Sequence, residues 1–437
     1  MDKHFKILRV SHIFTPAQMG RVMAGIPDFK SLSFREQMGR LAHLKVDNCE
    51  ALSRELRVFG HHVEDVYFDL EVPQKKWAEE NDVDWEAENW ENNILLKQIE
   101  KIRPDILFFQ KTTRLPMSIL VNLKSRFPFL QKIVLHTAYL GNMGNLGYVD
   151  LLLVGTPSLV NRFQRRGWKP RLFYHYFDPQ IIEMTSYTLD DKLWPLTFLG
   201  SSGFGGGYLH ADRFETLRYL LEKTGIEMWL SESIAPVSEE NWRRKIRKIG
   251  KWGMNTFPAP LLVLLSNASV FPSQMATLAN ECLREKEFHK LVRQLPSQSL
   301  GSLYPDRCHS PVMGLDYYSI MARSGISFTK ACNNIFDGNS NKKGDIGALR
   351  LFEATGLGSC LVADTGPNMV EIFEEGKEIV TYSSKEEAVE KINFLLSNCC
   401  KRKEIAQAGQ ARTLRDHTAF NRAAQFDFYL TDNSNKE

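Results

Sequence analysis

The sequence is poor in the features that most directly give a function away. Its seven cysteines are an odd number with no CxxC pair, and only Cys399 and Cys400 are adjacent. That excludes a disulfide framework and a zinc module and leaves reduced cytosolic thiols as the reading. Cys360, inside an apolar run, reads as a core thiol. No Gly-Lys-Ser/Thr follows the glycine cluster near residue 200, and no GxGxxG occurs, which removes the Walker loop and the dinucleotide fingerprint. The net charge of +3 gives no argument for a nucleic-acid partner, and none is expected. Long apolar runs are missing too. The most apolar window, Phe257 to Phe271, contains two prolines and an asparagine and is too short to span a membrane. Asp2, Lys3, His4 and Lys6 interrupt the first residues, so no secretory signal is expected there.

What is present is an ordinary globular composition, 43% apolar and 24% charged. A chain of 437 residues exceeds the size at which one hydrophobic core stops growing, so two domains are the default. Strand and helix patterns alternate from the start. Phe5 to Val10 reads as a first strand, followed by a long loop through His12, Gly20, Gly25 and Pro27. One helix is expected over Leu41, Leu44, Leu52 and Leu56, ended by Gly60, and then a strand at Val63 to Phe68. Pro73 to Asn89, acidic and tryptophan-containing, reads as a surface excursion. Further strands are expected at Pro104 to Phe109, Lys132 to Leu135, Leu151 to Val154 and Arg171 to Tyr174. Helices are expected at Trp90 to Ile102, Ile119 to Arg126 and Pro157 to Arg166. This alternation predicts parallel βαβ units and a Rossmann-like sheet.

A second alternation begins at Leu196 to Gly200, with a helix at Ala211 to Lys223 and a strand at Ile226 to Leu230. The fold class expected is therefore α/β, with two Rossmann-like domains in tandem. The division is 1–178, a linker at 179–195, a second domain at 196–415 with a helical insertion near 233–307, and a terminal helix at 416–437. Within the insertion, Trp242 to Trp252 carries six lysines and arginines, with Trp242, Ile246, Ile249 and Trp252 on one helical face. That pattern suits either peripheral contact with a membrane surface or docking of an apolar face on the second domain. Leu278 to Leu295 reads as a further helix.

The stretch Gly344 to Tyr382 organises the second half: a polar loop, a helix from Ala348 to Thr355, a buried strand from Cys360 to Ala363, and a turn at Thr365 to Asn368. A helical turn at Met369 to Phe373 and a strand at Glu378 to Thr381 complete it. Helices at Lys385 to Ser397 and from there through Leu430 finish the chain. The run RLFEATGLGSCLVADTGPNMVEIFEEGKEIVTYSSKEEAVEKINFLLSN, followed by EIAQAGQARTLRDHT, closely resembles the C-terminal half of bacterial glycosyltransferases with the GT-B fold, specifically the CgeB-like or spore-maturation-type group. The likeness spans roughly Val312 to Ala424 and is weaker but collinear elsewhere. It implies a cleft between two domains, an aspartate-proline (Asp178-Pro179) before the hinge, and a final helix that returns to the first domain.

Candidate site residues follow from position and residue type. The loop Gly200 to Gly207, with Gly203, precedes the helix holding Arg213. Glycines after a strand let backbone N–H groups approach an anion, the alternative being a flexible turn. The resemblance places a donor diphosphate at this loop. Lys330 follows a strand directly and could neutralise a departing diphosphate, or be a solvated surface lysine; relatives carry asparagine, arginine and histidine where this chain has Thr329 to Ala331. Many retaining GT-B enzymes carry two glutamates with seven residues between them, the spacing of Asp345 and Glu353. By that resemblance Glu353 accepts hydrogen bonds from the nucleotide ribose and Asp345 lies near the sugar; a loop cap is the other reading of Asp345. Relatives show asparagine-methionine at Ala348 and Leu349. Arg350 fits the family pattern and would bind phosphate or lock Glu353. Thr355, Gly356 and Thr365 are either an N–H-rich surround for the diphosphate or helix-to-strand punctuation. His136 and His12, at strand ends of the first domain, could be a base or simply satisfied polar residues.

The expectation is a glycosyltransferase that moves a sugar from a nucleotide-diphosphate donor to an acceptor hydroxyl on a glycan, lipid-linked or protein acceptor, either free in the cytoplasm or peripheral at the inner membrane face. No DxD-type cluster in the context used by metal-dependent transferases is seen, so no metal and no cofactor is expected. The rival expectations are a non-catalytic relative and a sugar-nucleotide epimerase. The epimerase would need a dense set of first-domain acids and histidines, which is not seen.

Overall fold

The computed structural model describes residues 4–12, 16–46, 49–110, 122–138, 146–185, 192–204, 208–231, 256–265, 275, 279, 282, 296–331 and 344–432. The expected helix at Trp242 to Trp252 lies outside them, as do most of Leu278 to Leu295 and the start of Ile119 to Arg126.

Among the described residues two six-stranded sheets form, and their strand pairings are all parallel. The first runs β2(His62–Tyr67), β1(Lys6–Ser11), β3(Ile106–Gln110), β4(Lys132–Thr137), β5(Leu151–Val154), β6(Pro170–Leu172). The second runs β12(Val380–Tyr382), β11(Cys360–Asp364), β10(Ser324–Thr329), β7(Trp194–Gly200), β8(Glu227–Leu230), β9(Cys308–His309). Strands such as ILFFQ and LLLV are apolar without alternation because helices cover both faces. On the first sheet, Leu8, Leu107 and Leu135 pack with Leu95, Ile99 and Phe163. On the opposite face, Ile7, Phe108 and Val134 pack with Leu52, Leu56, Ala423 and Phe426. The C-terminal helix Ala419–Thr431 is thus part of the first sheet's core. These are tandem Rossmann-like layers.

The structure corrects the expected elements in several places. Pro73 to Asn89 is not a surface excursion: Glu71–Glu80 is a helix that buries Trp77 and Ala78. Pro73 sits in its first turn, where the missing N–H breaks no intrahelical bond. The helix expected from Leu41 to Leu56 is two helices, Phe34–His43 and Cys49–Val58, broken at Lys45, whose φ of 52° cannot continue a helix. The long final helix is also two, Cys399–Asp416 and Ala419–Thr431, because Thr418 restarts the helix with a reciprocal capping box to Asn421. Edge strand β9 had no expectation at all.

The chain crosses between the two halves at Phe177 and again at Thr418, and the crossings are bonded to each other. Phe177 N donates to His417 O at 2.8 Å and Ala419 N donates to Phe177 O at 2.9 Å. His417 Nε2 donates to Ile372 O, and its Nδ1 accepts from Arg422 Nη2, each at 3.0 Å. Both ring nitrogens are therefore committed to the neutral form. Burial, then the Arg422 charge, push this imidazole down to about 4.

Unfolded histidine titrates near 6.5, so between about 6.5 and about 4 the unfolded chain binds a proton that the folded chain refuses. Stability from this site is complete above about pH 6.5 and falls as pH drops toward 4, by on the order of 3 kcal/mol over the full window. Urea unfolding at pH 7 and pH 5 should show about 2 kcal/mol of that loss, with a smaller change in His417→Gln. Equal changes in the two proteins would refute it.

Candidate functional site

In the second sheet β7 leads through β8 to β9 on one side, whereas β10 leads through β11 to β12 on the other. The topological switch point therefore lies between β7 and β10, where ligands of open α/β sheets bind beyond the carboxyl ends. The first sheet has its own switch between β1 and β3, bounded by Ser11 and Gln110.

At the second switch, β7 ends on Gly200 with φ 145°, and a Cβ there would lie 2.5 Å from Arg350 Nη2. Glycine is required both by the backbone and by the close approach of the guanidinium, which lies 5.6 Å over the Phe198 ring. Gly203, at φ 87°, would place a Cβ 2.5 Å from His210 O, so the loop returns tightly onto the helix Tyr208–Lys223. The loop serines hold its backbone: Gly203 N donates to Ser201 Oγ and Phe204 N to Ser202 Oγ, both at 3.2 Å. Arg213 is half-buried on that helix. Burial, then the Arg213 charge, keep His210 below the ordinary imidazole range.

Lys330 follows β10 and is 12% exposed, with Nζ 2.9 Å from Asp212 Oδ2 and 3.6 Å from Asp364 Oδ2. Burial pulls its ammonium down, but the two carboxylates outweigh burial and hold it above the usual lysine value. It is therefore not a solvated surface lysine.

Glu353, 6% exposed, accepts from Tyr317 Oη at 2.8 Å and from Tyr318 Oη at 3.2 Å. Arg350 Nε lies 3.4 Å from the same Tyr317 hydroxyl, so Tyr317 links the two charged groups. Burial, then the Glu353 charge, raise the Tyr317 phenol far above its ordinary value and keep it a donor.

The remaining expected residues lie apart from this cluster. The Asp345 carboxylate accepts from Ser158 N at 2.5 Å. Ser158 is in the first turn of Pro157–Gln164, a helix whose N-cap Thr156 makes no side-chain cap bond. Asp345 is thus a cap supplied from the other half of the chain, favoured by the helix dipole. Beside it, a Cβ on Gly347 would lie 2.7 Å from Thr156 Cγ2. Asn368 fixes this loop by bonding both the N–H and the C=O of Ile346, at 2.8 and 2.9 Å.

For Thr355 and Gly356 the geometry favours punctuation over ligand contact. Thr355 is 1% exposed, bonded to Leu351 O and Thr413 Oγ1, each at 2.6 Å. Gly356 stands so close to the Phe177 ring that a Cβ would lie 2.4 Å away. Thr365 N donates to Tyr382 O at 3.0 Å and its hydroxyl is directed to Glu375, another sheet-end role. His12 follows β1 and stands edge-on to Phe68, while His136 ends β4 against Phe173 and His175. Both are buried, at carboxyl ends of the first sheet. Sequence reasoning missed Asp212, Tyr317, Tyr318 and Asn368. Asp364 directly follows the expected strand Cys360 to Ala363, with nothing in the sequence to announce its partner. Among the described residues no group of three or more histidines, cysteines or carboxylates is placed to hold a metal, and no helix is long and apolar enough to cross a membrane.

Tyr317→Phe removes one hydroxyl donor from the buried Glu353 carboxylate. It should destabilise the chain by about 1–3 kcal/mol, read as a lower urea midpoint at unchanged m-value; an unchanged midpoint would show that the pair carries no stability.

Residues 284–427 match the family described as glycosyl transferase-like. No curated protein matches the chain. Among solved structures, Anabaena Alr3699/HepE in complex with UDP-glucose is similar at 12% identity and a TM-score of 0.51, covering 98% of this chain and 100% of that one. An α-glucosyltransferase in complex with UDP and a 13-mer DNA gives 12% and 0.52, covering 98% and 100%. A glycosyltransferase from Rickettsia africae gives 11% and 0.50, covering 99% and 100%. The chain has the GT-B glycosyltransferase fold, and its C-terminal part carries a glycosyl transferase-like segment.

Proposed function

We propose that the chain is a metal-independent glycosyltransferase of the CgeB-like kind, moving a sugar from a nucleotide-diphosphate donor to an acceptor hydroxyl. The observation that carries this is the convergence of Gly200, Arg350 and Lys330 on the second sheet's switch point. The donor diphosphate lies across the loop at Gly200 to Phe204, and Glu353 takes the ribose hydroxyls. As the anomeric C–O bond breaks, charge develops on the leaving diphosphate, and Lys330 and Arg350 supply the opposite charge where it appears. The acceptor oxygen forms the new bond and gives up its proton to a base at the carboxyl ends of the first sheet, with His12 and His136 as candidates. Asp345 belongs to the contact between the halves. The UDP-glucose and UDP bound in the structures of HepE and the α-glucosyltransferase support a nucleotide-sugar donor. The acceptor classes stay a glycan, a lipid-linked sugar or a protein, and the cysteine usage fits a cytoplasmic setting.

A thermal-shift series with UDP, GDP, dTDP, ADP and CMP, with and without magnesium, tests the reading. A ligand at 100 times its Kd stabilises the fold by about 2.7 kcal/mol. One diphosphate should raise Tm irrespective of magnesium, and Glu353→Ala should reduce that shift. An equal shift in Glu353→Ala removes the ribose assignment. No shift with any nucleotide favours a non-catalytic relative.

A further inference from the structure

The two carboxylates at Lys330 are held in different ways. Asp364, 15% exposed at the end of β11, spends its other oxygen on Ala331 N at 3.0 Å, so it is tied to the backbone that carries Lys330. Asp212, on the helix Tyr208–Lys223, makes the shorter contact at 2.9 Å but is 47% exposed. Its carboxylate can turn into solvent and regain hydration at little cost, whereas that of Asp364 cannot. Asp212, Asp364 and Arg213 all act electrostatically on the buried Tyr382 phenol, whose hydroxyl donates to Thr329 O at 2.9 Å at the base of Lys330.

We propose that Asp212 is an internal competitor for the anionic ligand of this site, while Asp364 is the positioning residue that keeps Lys330 aimed. The proposal rests on the nucleotide-sugar reading above. A diphosphate entering at the switch point takes the ammonium from Asp212 and leaves the Asp364 contact intact. The two carboxylates therefore have opposite effects on binding, although both are Lys330 ion pairs. The competition also discriminates by charge. A ligand must carry enough negative charge to displace Asp212, so a diphosphate benefits from its removal and an uncharged nucleoside does not.

Isothermal titration of the full chain with UDP, GDP, ADP, uridine and inorganic pyrophosphate tests this, using wild type, Asp212→Asn, Asp364→Asn and Lys330→Met. Asp212→Asn should tighten the best-bound diphosphate and pyrophosphate by about two- to fivefold and leave uridine unchanged. Asp364→Asn should weaken the diphosphate by about tenfold or more; if that variant does not fold, Asp364→Glu keeps the charge and should bind near wild type. Adding Lys330→Met to Asp212→Asn should abolish the gain. Unchanged or weaker diphosphate binding by Asp212→Asn, or an equal gain for uridine, overturns the competitor role while wild-type binding leaves the nucleotide-sugar reading standing. A wild-type chain that binds none of the probes overturns both.

Discussion

The molecule depends on one joint, where the chain crosses between its halves twice in the same place. Phe177 and Thr418 pair there, and the next residue, Asp178, is 1% exposed. Burial alone would raise its pKa, but hydrogen bonds from Arg54 and Lys45 hold it below the ordinary aspartate range. Lys45 Nζ lies 2.8 Å and Arg54 Nη2 2.7 Å from its two oxygens. A buried carboxylate of this kind is stable only while its partners are in place. That explains why Lys45 is held in a left-handed conformation that breaks one helix into two. Leu44 O meanwhile accepts from Leu315 N at 3.0 Å, against Gly314, where a Cβ would lie 2.3 Å from that same oxygen. The break in the first half is thus the docking point of the second.

The candidate site follows a similar logic of close approach. Gly200 lets a guanidinium reach the end of β7, Gly203 lets the loop turn back on His210 O, and Gly347 lets the Asp345 loop touch Thr156. Each glycine is a place where another element comes within contact distance of backbone. Positive charge is concentrated at the switch point by Arg350 and Lys330 but balanced there by Glu353, Asp212 and Asp364. Such a site stays stable without a large net charge.

The tandem Rossmann-like plan was legible because it rests on local signals: uninterrupted apolar runs such as Ile106 to Phe109, glycines after strands, and helical periods such as Lys385 to Ser397, whose ends were read correctly. Two of the misread elements turn on tertiary partners and one on an atypical local cap. Nothing near Lys45 in sequence announces Asp178. The Thr418 and Asn421 box lacks the usual glutamate, and Trp77 reads as exposed until the helix Trp90–Ile102 is packed beside it. The site was legible in the same proportion. Gly203 and Lys330 follow strand ends that position picks out, whereas Arg350 and Glu353 were singled out by the family resemblance. Asp212, Tyr317 and Tyr318 lie in the middle of amphipathic patterns, where sequence offers no reason to prefer them to any other polar or aromatic residue.

Asp345 shows how spacing and chemistry can separate. Its distance from Glu353 fits a paired-carboxylate pattern, but its oxygen caps Pro157–Gln164 across the contact between the halves. The loop that carries it is pinned by Asn368 and continues directly into Arg350 and Glu353. Asp345 and Arg350 stand six residues apart inclusively, and Glu353 follows three residues on, so the cap and the charged cluster share one short stretch of chain. A second contact between the halves, from Tyr174 Oη to Glu371 Oε2 at 3.0 Å, comes from the helical turn Met369–Ile372, which starts just after Asn368. The Asn368 bonds to Ile346 tie the two segments together, so the loop of Asp345 and the turn after Asn368 meet the first half as one unit.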